Sequence, residues 1–323
     1  MVDEDFAVAC LTRERRGMWR RAILAMAVAF GAVMVWPGPS SSSTLTSRPV
    51  RIVPFWPGRP GEGMWHPAGR LVQGRAAVYE TTVRLPADPA AMAGVAWMNP
   101  RLLRARLYSG SLSPGGFGWR YSAPIQLATA RTLVAAFAGG FLLSASHGGY
   151  LSEGRLVAPL RAGAASLVIY ANGSWSIGAW GREVVITPRV VAVRQNLSLL
   201  IDNGRVVAGL SSADTSVWGA ALNNVANTWR SGLGMNAAGE SIYVAGPMTI
   251  VELAQVLMRA GAVRAMVLDM NPLWPVFATY DPPTPLGFAS PANGTDLLAT
   301  MIQTPARFFE PTYSRDFITM SAR

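Results

Sequence analysis

Three tight turns, each set between runs of strand-forming residues, restrict the fold of this chain more than any other feature. Asn172-Gly173 separates Ser166–Ala171 from Ser174–Trp180, and Asn-Gly supplies the left-handed residues of a two-residue hairpin turn. Asp202-Asn203-Gly204 separates Leu197–Ile201 from Arg205–Leu210, and Ala237-Ala238-Gly239 separates Leu233–Asn236 from Ser241–Ala245. Short connections of this kind join antiparallel strands, because a parallel pair needs a long crossover. The 32 Gly and 23 Pro, spread through 323 residues, add turns and argue against a helical bundle. The expected fold is therefore α+β, mostly antiparallel β-sheet with a few packed helices, preceded by an N-terminal membrane helix.

One helix is well marked. Thr249 and Glu252 have the spacing of a capping box, Ile250, Leu253 and Leu257 recur on one face, and Gly261 is a natural stop. The apolar run Ala265–Leu268 then reads as a buried strand, and it ends at Asp269. An acid at the end of a buried strand, before a Pro- and aromatic-rich loop, is a common place for a site. Two readings of Asp269 stay open: a working carboxylate, or an Asx-turn that closes the loop.

Composition removes several chemistries. All 28 basic residues are Arg, so there is no Schiff-base lysine, no phosphate-loop lysine and no Ser-x-x-Lys acyl enzyme. Cys10 is the single cysteine and His66 and His147 are the two histidines, which leaves neither a disulfide framework nor a His- or thiolate-rich metal centre. No metal and no cofactor are expected. The net charge of +10 would suit an anionic partner, yet the arginines beyond the N-terminus are scattered and no RNA-binding aromatic motif accompanies them. Nucleic acid is not an expected partner.

The chain divides into four stretches. Residues 1–21 form an Arg-rich tail, and 22–37 an uncharged apolar run closed by Pro37. That order reads as a signal anchor with the Arg-rich end in the cytoplasm, or as a secretory signal if the segment is cleaved. The expectation is a single-pass cell-membrane protein whose domain is extracytoplasmic. Residues 38–75, rich in Ser, Pro and Gly, read as a linker, with Trp56, Trp65 and His66 available to dock on the domain. The globular domain is placed at 76–323.

Within it, VYETTVRL and Leu102–Tyr108 alternate as strands do, with Arg104 and Arg106 opposite Leu103, Ala105 and Leu107. Leu133–Phe137 runs into Gly139-Gly140-Phe141, where paired glycines let backbone approach a ligand closely or simply turn the chain. His147 lies in a Gly-rich loop, Ser146 to Tyr150, rather than on an apolar face, which leaves both a functional and a purely structural role open. Arg230, before Ser231-Gly232-Leu233-Gly234, can hold a phosphate bidentately or pair with Asp269.

In this order the motifs resemble the phosphodiester glycosidase family, in its actinobacterial membrane-anchored form. The likeness runs from about Val95 to the C-terminus. It rests on the Thr249–Gly261 helix and Leu268-Asp269, on Ala164–Tyr170, Gly178–Gly181, Arg194-Gln195-Asn196, Arg230–Gly234 and Tyr313–Phe317. The family's strand end reads Leu-Asp-Gly-Gly-Gly-Ser, whereas here Met270-Asn271-Pro272-Leu273-Trp274 follows Asp269, and Ala138 stands where the family carries Asn. The resemblance implies hydrolysis of a sugar-1-phosphodiester in a glycan or cell-envelope polymer. It implies Asp269, His147 and Arg230 as catalytic residues, and Gly139, Gly140, Asn196, Ser231, Asn271 and Trp274 as substrate contacts. A competing reading is a non-catalytic envelope protein that binds a glycan or a partner through Trp274, Phe277 and Tyr280. A third is another glycan hydrolase that pairs Asp269 with Glu240 or Asp281.

Overall fold

The computed structural model describes residues 48–211 and 213–323. The Arg-rich tail, the apolar segment 22–37 and Cys10 lie outside the described residues. Among the described residues no helix is long and apolar enough to cross a membrane.

In chain order the strands are β1 (His66–Val72), β2 (Arg75–Arg84), β3 (Met92–Met98), β4 (Leu103–Tyr108), β5 (Leu133–Ala138) and β6 (Tyr150–Ser152). Then come β7 (Arg155–Ala158), β8 (Ala165–Tyr170), β9 (Trp175–Ala179), β10 (Val190–Gln195), β11 (Leu199–Asp202) and β12 (Arg205–Val206). The last are β13 (Thr228–Met235), β14 (Ser241–Met248), β15 (Arg264–Val267), β16 (Phe277–Tyr280), β17 (Gly294–Asp296) and β18 (Phe317–Ala322). Three short α-helices accompany them: α1 (Leu127–Ala130), α2 (Thr215–Trp218) and α3 (Ile250–Arg259).

The strands form an eight-stranded sheet, β1-β2-β3-β14-β13-β15-β11-β12, and two five-stranded sheets, β7-β6-β10-β8-β9 and β17-β16-β5-β18-β4. Every pairing between these strands is antiparallel. All three marked turns join neighbouring strands: β8 to β9, β11 to β12 and β13 to β14.

Helix α3 opens with the capping box that its sequence announces: the Thr249 hydroxyl accepts from Glu252 N–H, and the Glu252 carboxylate accepts from Thr249 N–H. Leu253 and Leu257 are fully buried against the eight-stranded sheet, each worth about 1.5–3 kcal/mol of apolar burial. They fit because Gly232 and Gly234 alternate beneath them. A Cβ on Gly232 would lie 3.1 Å from both leucines, and one on Gly234 would lie 2.7 Å from Ala262 Cβ. The other face of the same sheet packs on the two five-stranded sheets, with Tyr243, Phe137 and Phe277 in mutual ring contact.

In place of a free linker through residue 75, residues 48–75 join the domain. Ile52 is fully buried, β1 pairs with β2, and Trp56 donates its indole N–H to Leu85 O at 2.8 Å. Glu62 pairs with Arg84 at 2.9 Å. The Pro- and Gly-rich composition sets turns between these contacts rather than flexibility.

Candidate active site

Asp269 follows β15, whose neighbours are β13 and β11. Ser231 on β13 brackets it: Ser231 N–H donates to Asp269 O at 2.7 Å, and Asp269 N–H donates to Ser231 Oγ at 3.2 Å. The carboxylate is wholly buried. Its Oδ1 accepts the Asn271 N–H at 2.9 Å, an Asx-turn. Its Oδ2 accepts no hydrogen bond and lies 3.6 Å from Arg315 Nη1. Burial pushes the acid up to about 6, against the pull of Arg315, the Asn271 and Met270 amides, and Arg194. An acid held there titrates close to neutral pH, the range suited to a proton acceptor.

Arg315 comes from the loop just before β18 and stacks on Trp274, 4.4 Å from guanidinium carbon to ring centre. Next to it in sequence, Asp316 is also wholly buried and holds Arg194, the charged residue near the end of β10, with Nε at 2.8 Å from Oδ2. Arg194 is otherwise spent on carbonyls, giving Nη1 to Gln195 O at 2.6 Å and Nη2 to Phe141 O. Burial raises the Asp316 carboxyl and the paired Arg194 opposes it. A bridge of this kind fixes geometry more than it adds stability, since two desolvated charges must first be compensated.

The paired glycines after β5 fit over this pair. A Cβ on Gly139 would sit 2.2 Å from Asp316 Oδ2, so only glycine admits the carboxylate. Gly140, at φ +141°, passes close to Leu268 O, Arg194 Nη2 and Asn196 Nδ2. Asn196 gives its amide N–H groups to Val267 O at 2.6 Å and Leu268 O at 2.8 Å, clamping the strand end that carries Asp269. Around the acid, four buried polar atoms make no hydrogen bond among the described residues: Asp269 Oδ2, Arg315 Nη1, Asn196 Oδ1 and the Tyr313 hydroxyl. Burial raises the Tyr313 hydroxyl, and the charges of Asp316 and Asp269 raise it further.

Asp269, Ser231, Asn196, Gly139, Gly140 and Asn271 thus come together, with Trp274 joined through Arg315. Two residues expected with them do not. Arg230 is not the cation on Asp269; among the described residues that place belongs to Arg315. Adjacent strand residues point to opposite faces, and Ser231 takes the face towards Asp269. Arg230 is satisfied elsewhere, by Met248 O at 2.9 Å, Ala226 O at 3.0 Å and Met270 Sδ at 3.2 Å. Burial lowers its guanidinium to about 10.

His147 is exposed, at φ +49°, and lines a separate cavity of about 500 Å³ with Ser113, Ser144 and Arg161. Of the two acids that the third reading pairs with Asp269, Glu240 binds the Trp97 indole at 3.1 Å and Asn236 Nδ2 at 2.6 Å, and Asp281 lines a separate cavity with Arg70 and Arg131. Sequence reasoning missed Arg194, Arg315, Asp316 and Tyr313 as site residues. Their signals are membership in the Arg194-Gln195-Asn196 and Tyr313–Phe317 motifs, and charge set directly against apolar strand runs, at Arg194 after Val190–Val193 and at Asp316 before Phe317–Met320.

Fold and site together define a β-rich domain with a buried acid and arginine cluster where strands of all three sheets end. Residues 131–269 match the family model described as phosphodiester glycosidase, and the family resemblance holds over that stretch, which ends on Asp269. No curated protein matches the sequence. Among solved structures, the catalytic domain of zebrafish N-acetylglucosamine-1-phosphodiester alpha-N-acetylglucosaminidase, auto-inhibited by its pro-peptide, is similar at 14% identity and a TM-score of 0.48, over 80% of this chain and 88% of that one. A hypothetical protein from Synechocystis is similar at 14% identity and a TM-score of 0.42, over 80% of this chain and 64% of that one.

Proposed function

We propose that this chain hydrolyses a sugar-1-phosphodiester of a glycan or cell-envelope polymer, with Asp269 as the working carboxylate. The observation that carries the reading is the fully buried Asp269 carboxyl, raised to about 6, whose Oδ2 meets Arg315 Nη1 only as a loose ion pair at 3.6 Å, neither atom making a hydrogen bond among the described residues. In the reaction a water attacks the anomeric carbon and gives its proton to Asp269. The bond from that carbon to the phosphate oxygen breaks, and the phosphomonoester leaves with the electron pair. A phosphate monoester, whose second ionisation lies near 6, leaves without strong protonation, so a second carboxylic acid is not required. In this reading Arg315 takes the departing phosphate.

We further propose that the domain lies outside the cytoplasmic membrane, held there by residues 22–37. The support is the arginine cluster that precedes the apolar run. Full protection of the domain from protease in intact spheroplasts would contradict it.

The second reading, a glycan-binding protein without turnover, draws on the complete burial of Asp269. It draws also on the loss of the family's glycines at Met270, Asn271 and Pro272, since glycine is what lets backbone cradle a phosphate. A panel of sugar-1-phosphodiesters decides between the two. Turnover by the wild type, cut at least a hundredfold in Asp269→Asn with the melting transition intact, supports hydrolysis. A wild type inert on every member, but binding the sugars, supports the second reading.

A further inference from the structure

Away from Asp269, four arginines gather on one surface, and none of them is in an ion pair among the described residues. Arg104 and Arg106 project from the same side of β4, roughly 7 Å apart at about 3.3 Å per residue. Arg120 faces them across a groove, and Arg323 adds its charge beside Arg104. Two cavities of about 390 and 400 Å³ share Arg104, Arg106, Arg120 and Tyr121, so the groove continues past the arginines on both sides. Glu153 is the single acid along it, and both its oxygens are taken by backbone, from Arg120 N–H and Tyr121 N–H at 2.8 Å each.

No ion pair reaches Arg104, Arg106 or Arg120 among the described residues. Arg106 and Arg120 lie over the Tyr121 ring, at 4.0 and 5.3 Å, which fixes their planes and leaves their N–H groups open. A second feature points the same way: Thr319 lines one of the two cavities, is 1% exposed, and its hydroxyl has no partner.

We propose that this groove binds a chain of phosphate groups, the backbone of a phosphodiester-linked glycan or polyol polymer. Guanidinium forks in a row match successive oxyanions bidentately. An uncharged saccharide would leave the charges of Arg104, Arg106 and Arg120 unmet, and so gains nothing from their clustering. A single-stranded nucleic acid fits less well, because it needs bare aromatic faces for its bases and Tyr121 is already covered by two guanidinia. Thr319 lies three residues along the chain from Asp316, roughly 10 Å at about 3.3 Å per residue. The groove is thus a surface distinct from the buried cluster, and its occupancy does not depend on turnover there.

The test measures binding of the full chain to poly(glycerol phosphate), to inorganic polyphosphate, to single-stranded DNA of matched charge and to neutral dextran, each at low and moderate salt. Poly(glycerol phosphate) should bind best, with affinity falling steeply as salt rises. Arg106→Ala and Arg120→Ala should each weaken it about tenfold, and Arg120→Glu about a hundredfold, with unchanged melting temperatures. Absence of binding at low salt, or variants that bind like wild type, would overturn the proposal. DNA or free polyphosphate binding as tightly as the polyol polymer would overturn the assignment of its source.

Discussion

Asp269→Asn should make the folded protein more stable at neutral pH, and the size of the gain follows from burial. The carboxyl titrates near 6 in the fold against an ordinary value of 3.8, because burial outweighs Arg315 and the loop amides. Between those two values the native state keeps a proton that the unfolded chain has released. Native protein therefore binds more protons than unfolded protein, and stability falls as pH rises through that window. At about 1.4 kcal/mol per pH unit, the ionised acid costs on the order of 1–3 kcal/mol above pH 6.

Asparagine keeps the shape and the Oδ1 bond from Asn271 but carries no charge to desolvate. Urea unfolding of wild type and variant should coincide near pH 3.5 and diverge to on the order of 1–3 kcal/mol by pH 7. Taking the difference between the two cancels Glu80 and Asp296, both raised to about 7 by burial. An acid kept at such a cost fits a working role, since functional sites commonly give up stability. A variant less stable than wild type at pH 7 would refute the reasoning and make Asp269 a brace for its loop.

Arg194→Met should destabilise by about 3–5 kcal/mol, because it strands Asp316 as a buried unpaired charge; adding Asp316→Leu should recover much of that loss, read by urea unfolding. Gly139→Ala drives a methyl into Asp316 Oδ2 and should cost about 1–3 kcal/mol by overpacking. A melting temperature equal to wild type would mean that the pair can move aside.

The hairpins and helix α3 were legible because their signals are local. Asn172-Gly173, Asp202-Asn203-Gly204, and Thr249 with Glu252 act within a few residues, and each appears where its chemistry demands. Asp269 was legible for the same reason, as the end of an apolar run. Its partner was not. Arg315 lies in a polar Tyr-Ser-Arg-Asp loop with no periodicity, and only sheet pairing brings it to Asp269. Arg230, which the resemblance makes a phosphate holder, spends its guanidinium on the backbone carbonyls of Met248 and Ala226, contacts that no local pattern in the sequence announces. The first 47 residues, on which the membrane expectation rests, lie outside the described residues.

Strand β18 has a consequence for how the protein acquires its shape. It lies between β5 and β4, pairing with both across its length, while Phe317 and Tyr108, paired at one end, are separated by most of the domain. Until that strand inserts, β4 has no strand partner, and Arg194 lacks Asp316 as its counter-charge. Closing so long a loop costs entropy before any contact repays it, and topologies dominated by distant pairings fold slowly. Insertion of β18 is therefore the step expected to limit folding, because it both joins β4 to β5 and brings Asp316 to Arg194. A protease present during refolding should find its longest-lived cutting sites in β4 and β18, while the β8–β9 and β13–β14 hairpins are already protected.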